Sequence, residues 1–128
     1  MSRKAYDAEG AVPSGPYSHA VDGGDYIFFS GQTAMNTASA DYEKGDIASQ
    51  TVQAFRNLFD VMEAAGVTPD DVVKVNVYLT DMGNFTAMNE VYKTKFAEPY
   101  PARTCVAVVA LPLGADVEIE CIAKRNAK

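Results

Sequence analysis

Pro99-Tyr100-Pro101-Ala102-Arg103-Thr104-Cys105-Val106, continued by Ala107 to Leu111, a Pro112 to Ala115 turn and Asp116-Val117-Glu118-Ile119-Glu120-Cys121-Ile122, is the stretch that decides the fold. Pro99 and Pro101 hold its start extended, because proline donates no backbone hydrogen bond and pushes the residue before it out of the helical region. A strand must therefore start there. Side chains alternate along a strand, so Arg103, Cys105, Ala107 and Val109 share one face and Thr104, Val106, Val108 and Ala110 the other. Both faces are mostly apolar, and each is expected to pack against something. In the next run Glu118 and Glu120 share a face opposite Val117, Ile119 and Cys121. A guanidinium rising among small uncharged neighbours needs an anion.

The chain limits what can hold such a group. At 128 residues, 48% hydrophobic and 22% charged, it fits one globular domain spanning residues 1–128. Seventeen acidic residues against eleven lysines and arginines give a net charge of −6, which argues against a nucleic-acid or anionic-membrane partner. No apolar run approaches the ~20 residues of a membrane helix. Cys105 and Cys121 sit in expected core strands without metal or redox spacing, and no secretory segment is recognisable, so a reduced cytoplasmic protein is expected. A lone histidine, His19, leaves little material for a metal site or a serine–histidine relay, and there is no phosphate-binding glycine loop.

Working outward, Arg3 to Tyr6 reads as a short terminal strand and Ala8 to Gly15 as a turn-rich approach. Gly15-Pro16-Tyr17-Ser18-His19-Ala20-Val21 reads as extended, joined through Asp22-Gly23-Gly24-Asp25 to Tyr26-Ile27-Phe28-Phe29-Ser30, a hairpin stopped by Gly31. Asn36 to Gly45 is loop-like. Asp46 to Gly66 is the clearest helix, capped by Asp46, ended by Gly66, and burying Ile47, Val52, Phe55, Leu58, Phe59 and Met62. Val72 to Leu79 alternates as a strand with Val73, Val75, Val77 and Leu79 inward. Asn84 is placed to cap a second helix running to about Phe96, with Phe85, Met88, Val91, Tyr92 and Phe96 on its apolar side. Two helices cannot cover both faces of such a sheet. We expect an α+β fold, a mixed β-sheet with two helices packed on one face, its other face available for association.

These residues also match a known pattern. Gly15-Pro16-Tyr17-Ser18, Phe29-Ser30-Gly31-Gln32, Asn89-x-x-Tyr92, and above all Pro101-Ala102-Arg103-Thr104-Cys105-Val106 with Val117-Glu118-Ile119 resemble motifs of the RidA/YjgF/UK114 family over nearly the whole chain. The resemblance implies a chorismate-mutase-like homotrimer with sites between subunits, and no cofactor. It implies 2-iminobutanoate/2-iminopropanoate deaminase activity, hydrolysing reactive enamine or imine acids such as 2-aminoacrylate to 2-keto acids and ammonia. Arg103 would bind the substrate carboxylate, Glu118 would position or activate water, and Tyr17, Ser30, Asn89 and Cys105 would line the pocket.

The residue types suit that chemistry, since a guanidinium offers parallel donors to a planar carboxylate and a tuned carboxyl can shuttle a proton at the adjacent carbon. Blander roles stand beside these. Arg103 could be a structural ion pair, Glu120 is mainly structural, Cys105 is a pocket wall and not a nucleophile, and His19 is a structural side chain beside the pocket. The alternatives are a non-catalytic trimeric sensor of small carboxylic acids and, against the charge balance, an endoribonuclease.

Overall fold

A computed structural model describes residues 2–11, 15–35 and 45–125. Six strands, β1 (Ala5–Tyr6), β2 (Ala20–Asp22), β3 (Tyr26–Gln32), β4 (Val72–Leu79), β5 (Ala102–Ala107) and β6 (Val117–Lys124), form one mixed sheet in the order β1-β2-β3-β6-β4-β5. Helices α1 (Ile47–Ala65) and α2 (Phe85–Tyr92) pack together on one face. Among the described strands only β4 and β5 run parallel, because a connection through α2 carries the chain back to the same end of the sheet. Among the described residues no helix is long and apolar enough to cross a membrane.

The core lies between helices and sheet. Ile27 and Phe29 of β3, Val75, Val77 and Leu79 of β4, and Val117, Ile119, Cys121 and Ala123 of β6 are all buried against Phe55, Leu58 and Met62 of α1 and Met88 and Tyr92 of α2. Phe55, Tyr92 and Phe96 meet one another at tilted or edge-on angles, with ring centroids 5.3–5.8 Å apart, the geometry that aromatic quadrupoles favour. Asp46 caps α1 by accepting from the Ser49 N–H at 2.7 Å, and Gly66 closes it in the left-handed conformation at φ 77°.

Several sequence expectations shift. Strand β3 does not stop at Gly31; it continues to Gln32 through a bulge, with three steps from Phe29 to Gln32 against two from Cys121 to Ile119. A second bulge sets Val72 and Lys74 against the adjacent residues Ala123 and Ile122, so Val72 turns inward and Val73 is exposed. Residues 15–17 bend, which leaves β2 only three residues long. The second helix ends at Tyr92, and its N-terminus is preceded by a 3-10 turn over Met82–Asn84 that Asp81 caps, with no capping bond from Asn84. Of the loop expected at Asn36 to Gly45, residues 36–44 lie outside the described residues, as do 12–14 of the approach to the hairpin. Val52 and Phe59 sit at the margin of the buried stripe of α1, which includes three polar residues, Gln50, Thr51 and Asn57.

The largest correction concerns β5. It is an edge strand, and within one chain its outward residues Thr104 and Val106 have no cover, while Val109 beyond it is fully exposed. Phe28 and Tyr26 on β3 lie exposed on the same helix-free face of the sheet.

Candidate active site

The site residues divide between two clefts. Arg103 pairs across β5 and β4 with Val75, whose other neighbour is Cys121, and both of those are buried on the helix face. Its guanidinium is accordingly held by α2. Nη1 donates to Asn89 Oδ1 at 2.6 Å, and Cζ stands 4.5 Å from the Tyr92 ring centroid and 5.5 Å from that of Phe85. These partners are neutral. The lysine and arginine ion pairs among the described residues join Lys93 to Glu90 and Arg125 to Asp22, and leave Arg103 out. The aromatic faces fix a positive charge without neutralising it, and Arg103 lines a cleft of about 520 Å³ shared with Asn89, Tyr92, Lys93, Tyr100 and Pro101.

The second cleft, about 590 Å³, opens on the helix-free face and holds Tyr17, Ser30, Gly31, Glu118 and Glu120. Glu118 is opposite Tyr78 on β4, with its strand neighbours Val117 and Ile119 turned into the core. Burial, and next the charge of Glu120, raise the Glu118 carboxyl above its ordinary value of 4.5. Glu120 is the anchored member of the pair. It accepts from the Tyr78 hydroxyl and, at 3.4 Å, from Asn76 Nδ2, and the bond to Glu120 is the main reason the Tyr78 hydroxyl is pushed up to about 12.

Gly31 makes room for Glu118. A Cβ at position 31 would stand 2.5 Å from Glu118 Oε2, 2.8 Å from Cδ and 3.0 Å from Cγ, so the bulge in β3 and the missing side chain together let the carboxyl lie across the strand. Gly31→Ala is expected to move the Glu118 carboxyl carbon resonance in a 13C NMR spectrum while changing the melting temperature by less than about 5 °C. An unmoved resonance would contradict this contact.

The remaining expected site residues fall as follows. Ser30 lines the Glu118 cleft, with Oγ donating to the Ser18 carbonyl at 2.6 Å. Asn89 belongs with Arg103 and not with Glu118. Cys105 lines neither cleft: its strand position turns it toward the core, where burial raises the thiol despite the opposing pull of Arg103. His19 is buried behind Tyr17 with ring centroids 6.1 Å apart, and its backbone N–H donates to Asp7 Oδ1 at 3.0 Å. Sequence reasoning missed Met35, Pro112 and Leu113, the apolar lining of the Glu118 cleft. Nothing in their local sequence marks them, since the β3 bulge and the turn before β6 bring them together.

A sequence profile described as Endoribonuclease L-PSP matches residues 8–125. The chain belongs to this family. Within the L-PSP family it is 44% identical over 110 residues to a protein of Dermatophagoides farinae named 2-iminobutanoate/2-iminopropanoate deaminase, covering 86% of each chain. The crystal structure of RidA from an Antarctic Psychrobacter superposes with a TM-score of 0.89 at 40% identity, covering 96% of this chain and 100% of that one. That of Escherichia coli TdcF with bound serine superposes with a TM-score of 0.87 at 33% identity, covering 96% and 99%.

Proposed function

We propose that this L-PSP family member is a 2-iminobutanoate/2-iminopropanoate deaminase that works as a homotrimer in the cytoplasm, with each site built from two subunits. The observation that carries the reading is the un-neutralised guanidinium of Arg103, fixed by Asn89 and two aromatic rings at the mouth of a cleft. In one chain that charge and Glu118 lie on opposite faces of the sheet, in different clefts. A neighbouring copy laid against edge strand β5 supplies the missing half, and covers the apolar side chains of the helix-free face as well.

In such a site Arg103 binds the substrate carboxylate through paired N–H donors. Glu118 takes a proton from a water on its side as the water oxygen bonds to the imine carbon and the C=N electron pair moves to nitrogen, and it passes that proton to nitrogen to give the carbinolamine. Glu118 then takes the hydroxyl proton and hands it to the amino nitrogen, the C–N bond breaks with its electron pair leaving on ammonia, the keto group forms, and Glu118 is ionised again. Glu118, raised toward neutrality by burial, is suited to accept and return that proton. Tyr17 and Ser30 line the pocket from the Glu118 side and Asn89 holds the guanidinium. TdcF, with serine bound, supports a small carboxylic acid as ligand.

The test is ammonia release from imino acids generated in situ by a pyridoxal-phosphate dehydratase acting on threonine or serine, with light scattering of the same sample. Accelerated release from a particle of three chains is expected. A monomer without acceleration would refute the reading, and a trimer that binds 2-keto acids without accelerating release would be a sensor. RNA cleavage is disfavoured by the net charge of −6.

A further inference from the structure

The buried face of α1 carries two amides that the reaction does not call on. Gln50 donates from Nε2 to the Gly45 carbonyl at 2.8 Å and to Asp116 Oδ2 at 2.9 Å, and accepts from the Asp116 N–H at 2.9 Å, two residues ahead of Glu118. Asn57, 3% exposed, makes a similar clamp two turns further on. Its Nδ2 donates to the Thr33 carbonyl at 2.9 Å and to the Met35 carbonyl at 2.7 Å, and its Oδ1 accepts from Gln53 Nε2 at 2.9 Å.

Both N–H groups of one side chain are therefore spent on backbone carbonyls of a segment that has left the sheet. Thr33 and Met35 follow β3 and line the Glu118 cleft, whereas Asn57 does not touch the cleft. A buried amide on a helix is costly unless fully bonded, and a Leu or Ala there would serve packing alone. Asn57 is bonded at both ends, and what it fixes is the cleft wall that carries Met35. Met35, with Pro112 and Leu113, supplies the apolar surface beside polar Ser30 and Glu118. That surface suits the aliphatic side chain of an acid whose carboxylate is gripped elsewhere.

We propose that Asn57 is a positioning residue: by tethering the Thr33–Met35 wall to α1 it sets how long an aliphatic side chain the cleft accepts. The inference rests on the reading that the cleft takes small 2-imino and 2-keto acids. Gln53, which steadies the Asn57 carbonyl oxygen from the half-buried side of the helix, belongs to the same device.

Pyruvate and 2-oxobutanoate differ by one methylene and do not turn over, so calorimetric titration of wild type, Asn57→Ala and Gln53→Ala tests the idea directly. In Asn57→Ala the ratio of the two affinities is expected to change by about threefold or more, through the longer acid, with pyruvate affinity held within about twofold. Gln53→Ala should change the ratio in the same direction by less, and in both variants the Met35 methyl resonance should move. A folded Asn57→Ala protein with an unchanged ratio, or with both affinities lowered equally, overturns the proposal. If Asn57→Ala does not fold, Gln53→Ala decides by the same ratio. Should neither acid bind the wild type, the deaminase reading falls, and an unmoved Met35 methyl in Gln53→Ala then overturns the tether as well.

Discussion

Arg103→Ala lowers kcat/KM for 2-iminopropanoate by about a thousandfold, the expected cost of removing one partner of an enclosed, charge-assisted carboxylate pair. The loss comes from chemistry and not from unfolding. The guanidinium makes one hydrogen bond, to Asn89, and lies against two aromatic rings, contacts worth about 1–2 kcal/mol together, so the melting temperature falls by no more than about 10 °C. Arg103→Lys separates charge from shape. A lysine keeps the positive charge but not the planar fork, and recovers only part of the activity, with about ten- to a hundredfold remaining lost. Steady-state ammonia release over a range of imino acid concentrations, with thermal melts of the same samples, measures both effects. Full activity in Arg103→Ala would remove the carboxylate clamp.

Glu118→Gln is expected to lower turnover by about a hundred- to ten-thousandfold while leaving the affinity for pyruvate within about threefold, because the amide keeps the shape but can neither accept nor return the proton. Stability moves the other way. Burial raises the folded-state carboxyl above its ordinary value of 4.5, so the folded chain binds the proton more tightly than the unfolded one. The folded state is therefore favoured while the group is protonated, and that advantage is lost as pH rises from 4.5 through the raised value. Glu118→Gln escapes the loss. Its urea midpoint at pH 7 should equal or exceed that of wild type, with the difference shrinking as pH falls toward 4. In wild type the rate falls on acidification through the raised carboxyl value, and the variant lacks that limb. A variant that is both inactive and markedly less stable at pH 7 would assign Glu118 to the framework instead.

Much of this arrangement could be read in advance, and what could not has identifiable causes. Alternation on β6 placed Glu118 and Glu120 on one face because both neighbours of Glu118 are large and apolar, and burial of Val117 and Ile119 follows directly. Period-two counting failed wherever a bulge adds a residue: Val73 points out instead of in, and β3 runs past Gly31. The first bulge holds Gly31, which reads equally well as a strand stop, and the second leaves no local mark in the sequence. Val52 and Phe59 drew the buried stripe of α1 too far round, because Gln50 and Asn57 look like surface residues until their bonding partners are known. The motif residues divided in a way that their order along the chain does not disclose. Arg103 and Glu118 are separated by β4 in the sheet and by the plane of the sheet itself, since one faces α2 and the other faces away.

That division bears on inheritance as much as on catalysis. Under the proposed assembly each chain lends its arginine to one pocket and its glutamate to another, so a damaged copy disables a pocket that its intact neighbour also needs. Two different defects, one in each half, would conversely leave some mixed particles with a whole pocket where the sound halves meet.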